Sequence, residues 1–170
     1  MAFIIVTNQP IWAYIGLGAN LGNAVATVQA AVQALAKLPH CRLLATSRVY
    51  RSPAWGNTNQ PDFMNAVALL ETTLPATLVL DHLLDLERIF GRTRTMGEHW
   101  QPRILDLDLL LYGEHIIDLP QLKVPHPYLH QRGFALLPLA EIAPQAQIPG
   151  HGLVQHVLKQ VNTAGIAPLQ

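Results

Sequence analysis

Residues 11–17 form a short apolar run that stops at Gly18, the length and ending of a strand. From Asn23, a residue type that caps helices, Val25, Val28, Ala31, Val32, Leu35 and Leu38 recur at helical spacing until Pro39 breaks the pattern. Residues 42–50 and 63–70 are strand-like. Residues 51–62 between them, with Ser52, Pro53, Gly56, Asn57, Asn59 and Pro61, are too many for a tight hairpin turn. A second helix opens with Pro75 in its first turn, carries Leu78, Leu80, Leu83, Leu84, Leu86 and Ile89, and is stopped by Gly91 at C′. Residues 92–102 form another long connection, and residues 104–112 a last strand of the set. The order β-α-β-β-α-β predicts an α+β fold of the ferredoxin-like type, an antiparallel sheet with helices on one face. Beyond it the pattern predicts a hairpin at residues 116–124, a helix at 134–142 and a final helix at 153–161.

The chain has 170 residues, half of them apolar, enough for one buried core. A single domain over residues 12–170 is expected, with residues 1–11 a loose extension. The net charge of zero argues against a duplex nucleic-acid binder. It conceals a basic stretch in which Arg88, Arg92, Arg94 and Arg103 are offset only by Glu98. The single cysteine, Cys41, allows no internal disulfide and suits a reducing compartment. Residues 3–6 are apolar but too few for a signal sequence, and no run approaches the ~18 apolar residues of a membrane span. These features predict a soluble, cytoplasmic protein.

The strongest chemical signal is L-D-L-D within residues 104–112. Alternation along a strand points Asp106 and Asp108 to one face, with Leu105, Leu107 and Leu109 on the other. Their Cα atoms would lie roughly 6.5 Å apart at about 3.3 Å per residue, close enough for both carboxylates to serve divalent cations. Magnesium with a phosphate is the natural occupant. Arg92, Arg94 and Arg103 suit phosphate because a guanidinium is always charged and donates in a planar fork. His126 and His130 are spaced as zinc ligands on a helix would be, but Pro125 and Pro127 deny His126 a regular turn, which favours a phosphate contact.

The stretches Y-I-G-L-G-A-N-L-G (residues 14–22), Y-R-S-P-A-W-G (50–56), Q-P-D-F-M-N (60–65), G-R-T-R (91–94), W-Q-P-R-I-L-D-L-D (100–108), V-P-H-P (124–127) and R-G-F (132–134) occur in this order. Together they resemble the 6-hydroxymethyl-7,8-dihydropterin pyrophosphokinase family over about residues 12–144. The resemblance implies transfer of the β,γ-diphosphate of ATP to the hydroxymethyl group of a reduced pterin, releasing AMP, toward folate. It implies that Asp106 and Asp108 hold two magnesium ions and that Arg92, Arg103, Asp106 and Asp108 serve the transfer. It also implies that Glu87, Arg94, Arg103, Leu109, His126 and Arg132 meet ATP. Phe63 and Phe134 would sandwich the pterin, with Asn65 reading its edge, Ser52, Pro53 and Trp55 completing the contacts and Trp100 closing over the site. The partners implied are the small-molecule substrates, with no nucleic acid or membrane, and a monomer. The two long connections are expected to close when both substrates bind.

The sequence departs from the family pattern in a few places. Ala19 stands where serine is usual, Leu84 where glutamine is common, the segment between Arg94 and Trp100 is longer by one residue than in some relatives, and Gln121 and Lys123 occupy variable nucleotide-edge positions. Two other classes remain open on the sequence. A noncatalytic nucleotide-binding module would explain the arginines but not L-D-L-D beside aromatics. An RNA-binding sheet would need exposed aromatics in the central strands and a basic sheet face.

Overall fold

A computed structural model describes residues 9–54, 59–92 and 102–170. Trp55, Arg94 and Trp100 therefore lie outside the described residues. The elements are β1 (Ile11–Ala19), α1 (Ala24–Leu35), β2 (Cys41–Thr46), β3 (Tyr50–Ser52), β4 (Phe63–Thr72), α2 (Ala76–Ile89), β5 (Asp106–Tyr112), β6 (Ile117–Leu119), β7 (Leu122–Val124), α3 (Gly133–Ile142), β8 (Gln147–Ile148), β9 (Gly152–Leu153), α4 (Val154–Leu158) and β10 (Ala167–Pro168). The main sheet runs β10-β3-β4-β1-β5, with β2 also paired to β4, and every pairing is antiparallel. This is the expected split βαβ arrangement. Ile11 already pairs with Thr72, so the ordered strand takes in one residue assigned to the extension.

The predicted helix signals have physical counterparts. Asn23 Oδ1 accepts from the Ala26 amide at 3.1 Å, filling one of the donors that a helix start leaves unpaired. Pro75 is the N-cap of α2, and Gly91 takes the left-handed φ of 90° that ends it, a conformation that side chains disfavour. α1 and α2 cover one face of the sheet. There Ile15, Leu17, Leu107 and Leu109 from the strands pack with Val28, Leu35, Val79 and Leu83 from the helices.

Three irregularities interrupt the strands expected to be continuous, the smallest an extra residue, Leu44, where Leu43 pairs with Leu70 and Ala45 with Leu69. Residues 42–50 do not form one strand. Thr46 pairs with Ala68 and Tyr50 with Asn65, so three residues on one side oppose two on the other, a bulge. Ser47 bridges the gap, its amide donating to Val67 O and its hydroxyl accepting from Val67 N, both at 2.9 Å. In β5, Tyr14 pairs with Leu111 and Ile15 with Leu109, leaving Leu110 as the extra residue. Leu110 and Leu111 consequently both join the second core, on the face opposite α1 and α2, while Leu109 and Tyr112 stay in the first.

The C-terminal part covers this second face, which a one-sided helical layer would leave bare. Leu136 and Leu139 of α3 and Val154 and Val157 of α4 bury Tyr14, Val67, Leu69 and Leu110. The cover ends before the Gly18, Asn65 and Asp106 end of the strands, and that gap is where the cavity lies. β10, which the pattern did not reveal, brings the C-terminal segment to the sheet edge by pairing with β3.

Gly133 begins α3 against that same segment. A Cβ there would stand 2.7 Å from Asn162 O and 3.1 Å from Ile166 Cδ1. Because the nearer atom is backbone, Gly133→Ala should destabilise the protein by about 1–3 kcal/mol, the usual cost of overpacking. Urea unfolding should show the midpoint falling with an unchanged slope.

Candidate active site

Strand register places glycine across from each aspartate. Asp108 pairs with Gly16 and Asp106 with Gly18; on the other side of β1, Gly16 pairs with Val67 and Gly18 with Asn65. Directly opposed residues of an antiparallel pair share a face, so β1 offers no side chain between the carboxylates and β4. The space left is the floor of a cavity of about 450 Å³. A Cβ at Gly16 would stand 3.3 Å from Leu110, and one at Gly18 would stand 3.4 Å from Asn65 Oδ1. Backbone geometry thus tolerates a side chain at Gly18, and it is the open floor that a larger residue would fill.

Phe63, Phe134, Ser52, Pro53, Arg103 and Arg132 wall this space. Asn65 is buried, and its Nδ2 donates to Ser52 Oγ at 2.8 Å, which fixes the orientation of its amide. The Arg132 guanidinium lies 5.7 Å from the Phe134 ring centre and 5.3 Å from that of Tyr128, within cation–π range of both. One cavity therefore joins an acidic floor, a basic wall and aromatic faces.

The two aspartates differ in charge state. Burial pushes Asp106 upward, but Arg103 and Arg92 outweigh it and hold this carboxyl below its usual range. Arg92 Nη1 reaches Asp106 Oδ1 at 2.5 Å, and Arg103 pairs with the other oxygen. Burial and the neighbouring Asp106 charge raise Asp108 to about 7. Among the described residues its nearest guanidinium stands well off, with Arg132 Nη1 at 4.0 Å from Oδ2, and the His126 Nε2 lies 3.9 Å from the same oxygen. Burial and Arg132 lower His126 to about 4, so the ring is neutral at pH 7. Its Nδ1 accepts from the Tyr128 amide at 3.2 Å, which assigns the ring proton to Nε2, the nitrogen nearest Asp108 and Arg132.

Of the sequence-predicted residues, Ser52, Pro53, Phe63, Asn65, Arg103, Asp106, Asp108, Arg132 and Phe134 line the one cavity. Leu109 does not. It faces the α1 and α2 layer and is 3% exposed, so its side chain cannot reach a ligand on the aspartate face; the bulge puts Leu110 there instead. Glu87 is 2% exposed and sits behind the floor, its Oε1 accepting from Leu107 N at 2.8 Å and pairing with Arg92 at 2.6 Å. Its carboxylate thus braces Arg92 and the aspartate strand and is not presented to the cavity.

Ala19, Leu84, Gln121 and Lys123 fall outside the wall of the main cavity, while the longer segment between Arg94 and Trp100 lies outside the described residues. Ala19 packs in the helix-side core. Leu84 lines a smaller cavity of about 280 Å³ with Glu87, Arg88 and Arg92. Lys123 is ion-paired to Asp118 across the β6–β7 hairpin. His130 stacks on His151 at 3.9 Å, and among the described residues no three His, Cys, Asp or Glu side chains converge as a metal site. Gly16, Gly18, Gln60 and Tyr128 line the cavity without having been assigned roles from the sequence. The glycines carried a signal, in G-L-G spaced like D-L-D, and Gln60 stood at the head of Q-P-D-F-M-N without a stated role.

Residues 14–144 match the family model described as 7,8-dihydro-6-hydroxymethylpterin-pyrophosphokinase. The chain is 46% identical over 136 residues to a 2-amino-4-hydroxy-6-hydroxymethyldihydropteridine pyrophosphokinase of Pseudomonas aeruginosa, covering 80% of this chain and 83% of the relative. It is 41% identical over 150 residues to a protein of that name from Haemophilus influenzae, covering 88% and 92%. Among solved structures, wild-type HPPK-DHPS of Plasmodium falciparum superposes with a TM-score of 0.69 at 14% identity, a likeness of fold. That match covers 89% of this chain but 45% of the Plasmodium chain, so the present chain spans less than half of it. With a family match over most of its length and relatives above 40% identity along 83% and 92% of their sequences, the chain belongs to the 7,8-dihydro-6-hydroxymethylpterin-pyrophosphokinase family.

Proposed function

We propose that residues 12–170 act as one diphosphotransferase unit, moving the β,γ-diphosphate of ATP to the hydroxymethyl oxygen of 6-hydroxymethyl-7,8-dihydropterin and releasing AMP, in tetrahydrofolate biosynthesis. The observation that carries this reading is the meeting of Asp106 and Asp108 with Arg103, Arg132, Phe63 and Phe134 around one cavity. Such a transfer needs an alcohol held in line with phosphorus and several negative charges offset. Family membership supports the pairing of these two substrates.

The donor set fits magnesium. Two carboxylates share a face, one of them with no guanidinium nearer than 4.0 Å among the described residues, and the glycines opposite leave room for water and phosphate ligands. Asp106 and Asp108 would hold two magnesium ions, whose contribution when bound is to offset phosphate charge and clamp the attacking and leaving oxygens. Arg103, Arg132 and Arg94 receive the phosphates, and neutral His126 donates a hydrogen bond from its Nε2–H to a phosphate oxygen. Phe63 and Phe134 grip the pterin faces while Asn65, held by Ser52, reads the ring edge, with Pro53, Trp55 and Trp100 completing the enclosure. Arg92, held between Glu87 and Asp106 in the free protein, turns to the transferring group during the reaction.

Asp108 gives a pH prediction whose sign follows from its raised value. The folded protein binds this proton more tightly than the unfolded chain, so stability falls as pH rises from about 4 to about 7 and levels off above. Asp106, held low, acts in the opposite sense below that window. In metal-free buffer at pH 8, Asp108→Asn should therefore melt higher than wild type, while its AMP formation falls by about a hundredfold or more. Thermal denaturation across pH and coupled AMP detection check both, and a full-rate Asp108→Asn enzyme would remove Asp108 from the reaction.

The aromatic wall and the braced arginine separate by ligand. Phe134→Ala should weaken the pterin by about 0.5–1.5 kcal/mol beyond lost area while leaving ATP nearly unchanged, measured by calorimetry on each substrate. Arg92→Ala should slow single turnover with little change in ATP affinity, since a contact made near the transition state affects rate and not ground-state binding. An ATP titration of the single-turnover rate reads both quantities at once.

A further inference from the structure

Asn20 follows β1 and is 4% exposed. Both ends of its side-chain amide are used, each by a different long connection. Oδ1 accepts from Arg103 N at 2.8 Å, and the Asn20 backbone N–H donates to Arg103 O at 3.1 Å, so the main chain of Arg103 is held from both sides. Nδ2 donates to Gln60 Oε1 at 3.0 Å and to Pro61 O at 3.1 Å. The segment entering β4 and the segment entering β5 thus meet at one residue fixed to the end of a central strand.

What each segment carries gives this junction its consequence. Arg103 pairs its guanidinium with Asp106, and Gln60 lines the cavity beside Phe63. A swing of the Arg103 backbone would carry its guanidinium away from the phosphate side, and a swing of residues 60–61 would open the wall that begins β4. We infer that Asn20 is a positioning residue for the transfer, acting through the Arg103 main chain to place the guanidinium and through Gln60 and Pro61 to hold the pterin wall. Only an amide does both. Aspartate in its place keeps the acceptor for Arg103 N but puts an acceptor where Gln60 Oε1 and Pro61 O require a donor. Alanine keeps neither.

This role presupposes the diphosphotransferase reading, which the wild-type chain tests separately: without AMP from ATP, magnesium and the reduced hydroxymethylpterin, that reading fails and the variants are moot. Given wild-type activity, single-turnover rates and substrate affinities are measured for Asn20→Ala, Asn20→Asp, Arg103→Ala and the Asn20→Ala/Arg103→Ala pair. Asn20→Ala should be slower by about 10- to 100-fold, the loss expected of a misplaced group. In the Arg103→Ala background the same change should cost almost nothing further, because the guanidinium that Asn20 places is already gone. A residue that merely holds the fold together would lower both backgrounds by the same factor, and that result overturns the inference. Asn20→Asp should recover most of the single-turnover rate while raising the pterin KM several-fold, about the effect of one lost positioning contact. If Asn20→Ala does not fold, Asn20→Asp decides alone: an unchanged pterin KM, or a rate as low as that of Arg103→Ala, refutes the two-armed role.

Discussion

Two carboxylates held on one face of a sheet repel each other, and much of the structure around them answers that repulsion. Asp106 is met at close range by Arg92 and Arg103, and so stays ionised. Asp108 has, among the described residues, its nearest guanidinium, that of Arg132, at 4.0 Å, and its proton is retained to about pH 7. The pair thus presents one full charge and one that is easily gained or lost near neutral pH. Glu87 completes the balance from behind. Buried on α2, it ties Arg92 to the Leu107 amide between the aspartates, so the floor and its nearest arginine share a support.

Space at the site comes from incomplete cover. α1 and α2 seal one sheet face with aliphatic packing. α3 and α4 seal the other only as far as Val67, Leu69 and Leu110. Past that edge lie Gly16, Gly18 and Asn65, where side chains are absent or polar and the cavity opens. The start of α3 supplies the wall, because Gly133 lets the helix begin close against residues 162–166 and thereby sets Arg132 and Phe134 over the floor. Packing and chemistry are joined there: the close approach of the C-terminal segment also places the Arg132 guanidinium against an aromatic face.

The neutral His126 extends the same logic. Burial and Arg132 suppress its charge, so it adds a donor without adding to an already basic wall. Its backbone amide donates to Leu110 O at 2.9 Å, which fastens the segment after β7 to the aspartate strand. Local hydrogen bonding thus carries a residue from outside the ferredoxin-like core into the site that the core creates.

Helix periodicity, the Asn23 cap, the Gly91 stop and the strand alternation of L-D-L-D were all legible in the sequence, because each depends on neighbours a few residues away. The motif series identified the family for the same reason, since its residues are contiguous within short stretches. Where Leu109 and Glu87 stand relative to the main cavity was not legible from sequence order. A one-residue bulge at Leu110 decides which leucine faces the cavity, and a turn of α2 buries Glu87 behind the floor. The pairing of Gly16 and Gly18 with the aspartates, the break at Ser47 and the junction at Asn20 were likewise beyond the sequence, although every residue involved was in view. Register and the meeting of segments 40 and 83 residues apart arise from long-range packing. Local pattern fixes which face a residue occupies within its own strand, and only the assembled sheet fixes what stands across from it.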